Sequence, residues 1–234
     1  MLRPLEVRRL GVVPYQDALE LQRTLVEERR SGHVPDLLLL LQHPSVITVG
    51  VKGDGGRSNV VAAASLLTER GIEIFETGRG GDVTYHGPGQ IVGYPILDLR
   101  PDRCDVHRYV RDLEEVMIRG CADYGLIAQR CDGMTGAWVG ENKIGAIGVR
   151  LSRWITSHGF ALNVSTNLDA FDLIVPCGIP DRGVTSLGRV AERDISIAEV
   201  EDAIVRHFCD VFGRKANQIP AARRGTSMRA DRSE

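Results

Sequence analysis

Residues 79–95, RGGDVTYHGPGQIVGYP, hold five glycines, two prolines, one histidine and two tyrosines. No ordinary core helix or strand is built this way. Glycine reaches positive φ and lets a ligand approach the main chain where a Cβ would block it, and loops on a rigid scaffold are where binding chemistry sits. The stretch therefore reads as a shaped ligand-binding loop in preference to a plain surface turn. It contains neither GxxxxGK[ST] nor a GxGxxG that follows a strand and opens a helix, so no phosphate-cradling motif calls for ATP or NAD.

On both sides of this stretch the chain is periodic. Residues 15–30 place Ala18, Leu21, Leu25 and Val26 on one stripe ahead of Gly32, which predicts an amphipathic helix with a glycine stop. Five consecutive leucines at 37–41, then His43-Pro44 and the β-branched run 46–49, predict buried strand, turn, strand. Further strands are predicted at 72–75 and 91–99, the latter at an edge or a bulge because Pro95 cannot donate to a ladder. Asp105 caps a predicted helix over 105–124 that Gly125 ends. Strands follow at 138–139, 144–149 and 155–164, and Ser196 with Glu199 fits a capping box opening a helix to Gly213. Residues 214–234 have little to bury and predict a mobile polar tail after a single domain over 1–213. Mixed strands and helices without linker or repeat give an α/β or α+β fold.

Composition excludes classes without choosing a partner. Twenty-nine Lys and Arg against 31 Asp and Glu give a net charge of -2, so no global field points to nucleic acid. No run approaches the ~18 apolar residues of a membrane-spanning helix, and the start lacks a signal peptide's apolar core, so a cytoplasmic protein is expected. Five cysteines without CxxC or Cys/His spacing argue against a disulfide framework or a metal site, and most should be small packing residues.

Two residues could carry covalent chemistry. Cys177, in IVPCGIPDRGVTSL, lies between a short apolar run and Gly178, where a turn would leave room for an acyl carbonyl and for main-chain N–H donors to an oxyanion. Taken alone it fits inert packing better. Lys143, in GENKIGAIGVR, precedes an apolar glycine-containing strand; partial desolvation would let it exchange protons near neutrality, although a solvated surface lysine fits the residue alone. His86 could hydrogen-bond a substrate or hold the loop. His158 reads as bracing a strand edge, with a place beside the substrate as the alternative, and His43 before Pro44 as turn chemistry.

Four segments together, RGGDVTYHGPGQIVGYPILDL at 79–99, NKIGAIGVR at 142–150, HGFALNV at 158–164 and PCGIPDRGVTSL at 176–187, resemble the lipoyl(octanoyl) transferase family. The likeness is ordered and, with LLLLQHPSVITVG at 38–50, runs from Leu38 to Leu187; Asn142 and Gly145 depart from the family's usual residues. The resemblance implies the fold shared with biotin and lipoate protein ligases, a mixed β-sheet flanked by helices with the acyl site in a groove. It implies that Cys177 carries the acyl thioester and that Lys143 is the acid/base that lowers the thiol's pKa. Substrate-contacting positions fall on Arg79, Gly80, Gly81, Asp82, Val83, Thr84, Tyr85 and His86, on Ala146, Ile147 and Gly148, and on Gly159, Phe160 and Ala161.

The activity implied is transfer of an octanoyl group from octanoyl-acyl carrier protein to lysines of the lipoyl domains of 2-oxoacid dehydrogenases and of the glycine cleavage H protein. It would run without ATP, cofactor or metal, in a monomer, in a groove walled by Tyr85, the glycine-rich stretch and the strands around Ala146 and Phe160. Acidic partners suggest a basic rim, assigned to Arg79, Arg150 and Arg153. Three other readings compete: an ATP-dependent lipoate or biotin ligase on the same fold, a non-catalytic binder of acylated carrier proteins, and a papain-like hydrolase, for which no matching Cys and His segments are present.

Overall fold

The five leucines become the strand around which everything else is layered. The computed structural model describes residues 2–51, 57–175 and 182–218. In chain order its elements are β1 (Arg3–Val12), α1 (Tyr15–Arg30), β2 (Asp36–Gln42), β3 (Val46–Val49), α2 (Ala64–Glu69), β4 (Glu73–Glu76), β5 (Val83–His86), β6 (Gln90–Ile96), α3 (Val106–Ala122), β7 (Gln129–Cys131), β8 (Met134–Val139), β9 (Asn142–Ser152), β10 (Ile155–Asn163), a 3-10 turn (Leu168–Leu173), α4 (Leu187–Ala191), α5 (Ile197–Phe212) and β11 (Arg214–Gln218). Eight strands form one mixed sheet in the order β11-β1-β2-β6-β10-β9-β8-β7, and β4-β3-β5 form a second.

β2 is apolar on both faces because both are covered. Leu37, Leu39 and Leu41 pack with Ala18 and Leu25 of α1, while Leu38 and Leu40 face the helices α3 and α5 on the other side. All five are fully buried, each contributing about 2 kcal/mol relative to exposure. α1 also makes the crossover between β1 and β2, which pair in parallel, as does β1 with β11; the other ladders of the large sheet are antiparallel. The mixed sheet flanked by helices is the architecture expected.

The structure corrects several local readings. The glycine-rich stretch is not one loop: residues 83–86 are β5 and 90–96 are β6, a strand in the middle of the large sheet. Pro95 is thus no edge residue; it pairs with Leu38 of β2. On the β10 side its missing donor is compensated by Thr156, whose hydroxyl donates to the Pro95 carbonyl (2.7 Å) and accepts from the Leu97 N–H (2.9 Å). Ser196 precedes α5 without a side-chain cap bond, whereas Asp105 does cap α3, accepting from the Arg108 N–H at 3.1 Å. Of the cysteines described, only Cys121 is buried; Cys104 is exposed, and Cys131 and Cys209 are intermediate.

The polar tail begins later than composition suggests. Residues 214–218 are edge strand β11, and the rest of the stretch, 219–234, lies outside the described residues. Buried Asp36 holds this edge: it accepts from Arg214 (2.9 Å) and Arg29 (2.8 Å), and its Oδ1 also takes the Asp98 N–H (2.9 Å). Arg214→Ala leaves a buried carboxylate with a charge partner on one side only, and should lower unfolding free energy by about 3 kcal/mol in urea titration. A loss under about 1 kcal/mol would show the edge strand to be independent of that pair.

Candidate active site

A cleft opens where two neighbouring strands lose their side chains. β9 and β10 pair Ala146 with Ala161 and Gly148 with Gly159, and strand alternation turns these four small residues to the same face. Ala146 and Ala161 form a floor of main chain and methyl groups, Gly148 is covered by the Gly80 carbonyl and the Arg79 side chain, Gly159 abuts Gly93 and Pro95 of β6, and the cleft spans about 510 Å³ when the space open to solvent is included.

One wall is the segment 79–84, stitched to both sheets. The Gly80 N–H donates to Val149 of β9 (2.8 Å), while the N–H groups of Gly50 and Val51, after β3, donate to Asp82 (2.9 Å) and Arg79 (2.9 Å). Arg79 itself is buried, its guanidinium donating to the Thr48 carbonyl (2.7 Å), the Thr48 hydroxyl (2.9 Å) and the Gly80 carbonyl (3.0 Å). A Cβ at Gly148 would come within 2.9 Å of the Arg79 side chain, and one at Gly50 within 2.8 Å. Those glycines leave room for an arginine. Arg79 is therefore a buried clamp and not part of an exposed basic rim; Arg150 and Arg153 are exposed.

The wall away from Lys143 is aromatic and titratable, yet neutral. Tyr15, His86, Tyr94 and His158 line it, with His43 behind. His43, fully buried, is no turn residue: its Nδ1 donates to the Val13 carbonyl (2.7 Å), so Nε2 is left to accept from the Tyr94 hydroxyl (2.8 Å). Burial pushes the His43 and His158 imidazoles down to about 4 and the His86 imidazole down to about 3, and it raises both the Tyr15 and Tyr94 phenols. From His86 a directed chain of buried groups leads away: Nδ1 donates to Gln90 (2.7 Å), Gln90 to Asn163 (2.9 Å) and Asn163 to the Thr185 carbonyl (2.9 Å).

Lys143 reaches this side of the sheet through an irregularity. Trp138 pairs with Lys143 but Ala137 with Gly145, so β9 carries one extra residue, Ile144. Ile144 packs into the core under α3, and a Cβ on Gly145 would meet Met117 there. Lys143 and Ala146 consequently share a second, smaller cavity with Thr84, Asn163, Ala161 and Phe171; Thr84, Ala146 and Ala161 also line the main cleft. The Lys143 ammonium lies 4.8 Å from the centre of the buried Trp138 ring, a cation–π contact. Its main chain pairs with the segment following residue 181: the Lys143 N–H donates to Gly183 and its carbonyl accepts from Thr185, both at 2.9 Å. Upstream, the Val175 N–H donates to Asn59 at 2.7 Å. Cys177 lies between, outside the described residues.

Most positions anticipated from the sequence meet at this cleft, though not always through their side chains. Arg79, Gly81, Asp82, Val83, Thr84, His86, Ala146, Ile147, Gly148, Gly159, Phe160 and Ala161 all line it. The Phe160 ring packs through to the α3 face, over Gly93, where a Cβ would collide with it, so its main chain is what the cleft meets. Tyr85 is no wall: its ring faces Phe171 (5.5 Å between centroids) and its hydroxyl bonds Ser45 (2.9 Å), in the core of the small sheet. Gly80 serves as main-chain anchor to Val149. Tyr15, Tyr94 and Trp138 were not anticipated; the alternation of Val92, Tyr94 and Ile96 toward α1 was the available signal for Tyr94. Among the described residues no three His, Cys, Asp or Glu side chains gather as metal ligands, and no helix is long and apolar enough to cross a membrane.

A fold that joins this mixed sheet to a cleft of this kind defines a class. The chain belongs to the lipoyl protein ligase A/B catalytic domain family, which matches residues 14–209. It is similar to the octanoyltransferase of Rubrobacter xylanophilus, 56% identical over 211 residues that cover 89% of this chain and 94% of that one. To the octanoyltransferase of Myxococcus xanthus it is 49% identical over 233 residues, covering 97% of this chain but only 65% of that longer protein. Among solved structures, a bipartite lipoate protein ligase of Thermoplasma acidophilum superposes with a TM-score of 0.73 at 19% identity, covering 94% of this chain and 88% of that one, a likeness of fold alone.

The neutral histidines make stability depend on pH. The unfolded chain takes up protons near the ordinary histidine value of 6.5, whereas burial keeps His43 and His158 unprotonated down to about 4 and His86 down to about 3. Their contribution is complete above pH 6.5 and is lost as pH falls through about 4 for His43 and His158 and about 3 for His86. Urea midpoints should drop between pH 6.5 and 5, and His43→Gln should remove from that slope up to ~1.4 kcal/mol per pH unit, one proton's share. A pH-independent midpoint over this range would contradict the burial of neutral imidazoles.

Proposed function

We propose that this protein is an octanoyltransferase that moves an octanoyl group from octanoyl-acyl carrier protein to the lysine amine of a lipoyl domain, through a thioester on Cys177. The observation that supports it most is the meeting of an amine with a largely apolar cleft: Lys143, held beside Trp138, shares a cavity with Ala146 and Ala161, and the same two alanines line the main cleft with Val83, Val92 and Ile147. Kinship with octanoyltransferases at about half identity supports the same reading.

In the first half-reaction the Cys177 thiolate attacks the donor's thioester carbonyl. The C–S bond to the carrier breaks, and the departing thiolate takes a proton from Lys143. In the second, the acceptor's lysine amine attacks the Cys177 thioester; its proton passes to Lys143, the Cys177 sulfur leaves, and an amide remains. A thioester is already an activated acyl donor, so the exchange needs no nucleotide. The alkyl chain supplies binding at about 0.8 kcal/mol for each CH₂ buried on the floor. Main-chain pairing of Lys143 with Gly183 and Thr185, and of Val175 with Asn59, tethers both flanks of the six residues that carry Cys177. Acceptors are lipoyl domains of 2-oxoacid dehydrogenases and of the glycine cleavage H protein.

Intact-mass measurement after incubation with octanoyl-acyl carrier protein should show one added acyl group, absent in Cys177→Ala although that variant stays folded. Acylation of the alanine variant would exclude the thiol as nucleophile. Lys143→Ala should lose at least ~100-fold in transfer rate and shift the pH profile of thiol alkylation upward; an unmoved profile would uncouple the two residues. Pyrophosphate released from ATP and free octanoate, without transfer from the carrier, would point instead to a ligase.

A further inference from the structure

One buried carboxylate plays no part in the chemistry above. Glu114 of α3 is fully buried, yet its charge is answered at the rim: Oε2 accepts from Arg111 (2.8 Å) and Arg130 (3.1 Å), whose side chains are 55% and 38% exposed. The other oxygen serves the main chain. Oε1 accepts from the N–H of Gly136, in β8, at 3.0 Å. A helix side chain has thus captured a donor from a strand whose ladder with β9 shifts register immediately afterwards, between Ala137 and Trp138.

Gly136 is where that capture matters. Its φ is 124°, which glycine adopts without strain and other residues rarely adopt. A Cβ there would stand 2.4 Å from the Gly145 carbonyl oxygen and 3.6 Å from Cε of Lys143. The lysine's stem therefore passes over bare main chain at Gly136, and its ammonium reaches the ring of Trp138, two residues on, 4.8 Å from the ring centre. Both supports of the lysine belong to one short stretch of β8, and Glu114 pins that stretch from the α3 side of the sheet.

We propose that Glu114 is the positioning residue of Lys143: through the Gly136 N–H it holds β8 in the conformation that seats the lysine's stem and ammonium. This rests on the acyl-transfer reading above, in which that amine gives and takes the proton. A hydrogen bond from a peptide N–H depends on the reach of the accepting oxygen, whereas the two arginines answer to the charge. Substitution can therefore pull the two roles of the carboxylate apart. Glutamine keeps the oxygen at full length without the charge, and the partly exposed arginines can turn to water. Aspartate keeps the charge and draws the oxygen back by one methylene. Methionine fills the space and offers neither.

Each variant is assayed for transfer from octanoyl-acyl carrier protein, with thermal unfolding as the check on folding. Relative to the parent, kcat should stay within about threefold in Glu114→Gln, fall about tenfold in Glu114→Asp and about 100-fold in Glu114→Met, the scale of a catalytic group misplaced by an ångström, while KM for the carrier stays within about twofold. Adding Glu114→Met to Lys143→Ala should cost no further rate, because the carboxylate acts through the lysine. Trp138 gives a reading independent of turnover. With Trp154→Phe it is the chain's one tryptophan, and in that background Glu114→Asp and Glu114→Met should move its emission to that of Lys143→Ala, whereas Glu114→Gln should keep the parent's. Parental rate in Glu114→Asp with loss in Glu114→Gln would make the residue an ion-pair anchor and overturn the proposal. Further loss on top of Lys143→Ala would overturn it too. Should the methionine variant not fold, the order of glutamine and aspartate still decides. If the unaltered protein transfers no acyl group, the acyl-transfer reading falls by itself, and the emission alone upholds or overturns the seating of Lys143.

Discussion

One buried cation fixes the distance between the two sheets. Arg79 leaves the segment between them, reaches back to both oxygens of Thr48 on the small sheet and lies over Gly148 on the large one. A planar fork of five donors can satisfy a carbonyl, a hydroxyl and a second carbonyl at once, as a lysine ammonium on a flexible stem could not do with the same rigidity. The Arg79 side chain, together with the Gly80 and Gly81 carbonyls, fills the space that a Cβ would take at Gly148 and Gly50, so both positions are held to zero side-chain volume.

Electrically the site is quieter than its composition suggests. Three histidines and two tyrosines surround the far end, and burial keeps all of them uncharged near neutrality. At that end the cleft is enclosed by polar rings without a further buried ion, and His43 and His86 have hydrogen-bond partners of their own. His43 has two, the Val13 carbonyl and the Tyr94 hydroxyl, while His86 hands its hydrogen bond along Gln90 and Asn163 to Thr185. That last chain joins the aromatic end of the cleft to the segment beside Lys143. Shape at one end and chemistry at the other share a single set of amide bonds.

Sequence periodicity located what burial alone dictates. Helices α1, α3 and α5 and strands β2 and β3 were legible because their apolar residues recur at 3.6, at 2 or without interruption, depending on how many faces are covered. It failed where residues answer to a distant partner. β5 was hidden by glycines and aromatics whose reasons lie elsewhere; β1 and β11 are rich in charge because they lie toward the rim, where Asp36 and Arg214 supply the hold. Pro95 looked like an edge signal, and only the hydroxyl of Thr156, 61 residues away, explains how a central strand tolerates it. At the cleft, motifs picked the right positions but could not say which face each presents. Tyr85 and Phe160 point into cores, and His158 turns toward the cleft, because alternation and one positive φ settle orientation and neither is written in a motif.

The extra residue at Ile144 carries a consequence for how this protein can vary. Replacing Gly145 by a larger residue meets the flexible thioether of Met117, which can yield. The bulge itself is what sets the lysine's side: were the ladder with β8 to straighten with every residue kept, Lys143, three residues from Ala146, would face α3, whereas loss of Ile144 would straighten the ladder and leave Lys143 two residues from Ala146, on the same face. Length and register are thus coupled at this one point: the amine keeps its side of the sheet only while the extra residue stays out of the ladder.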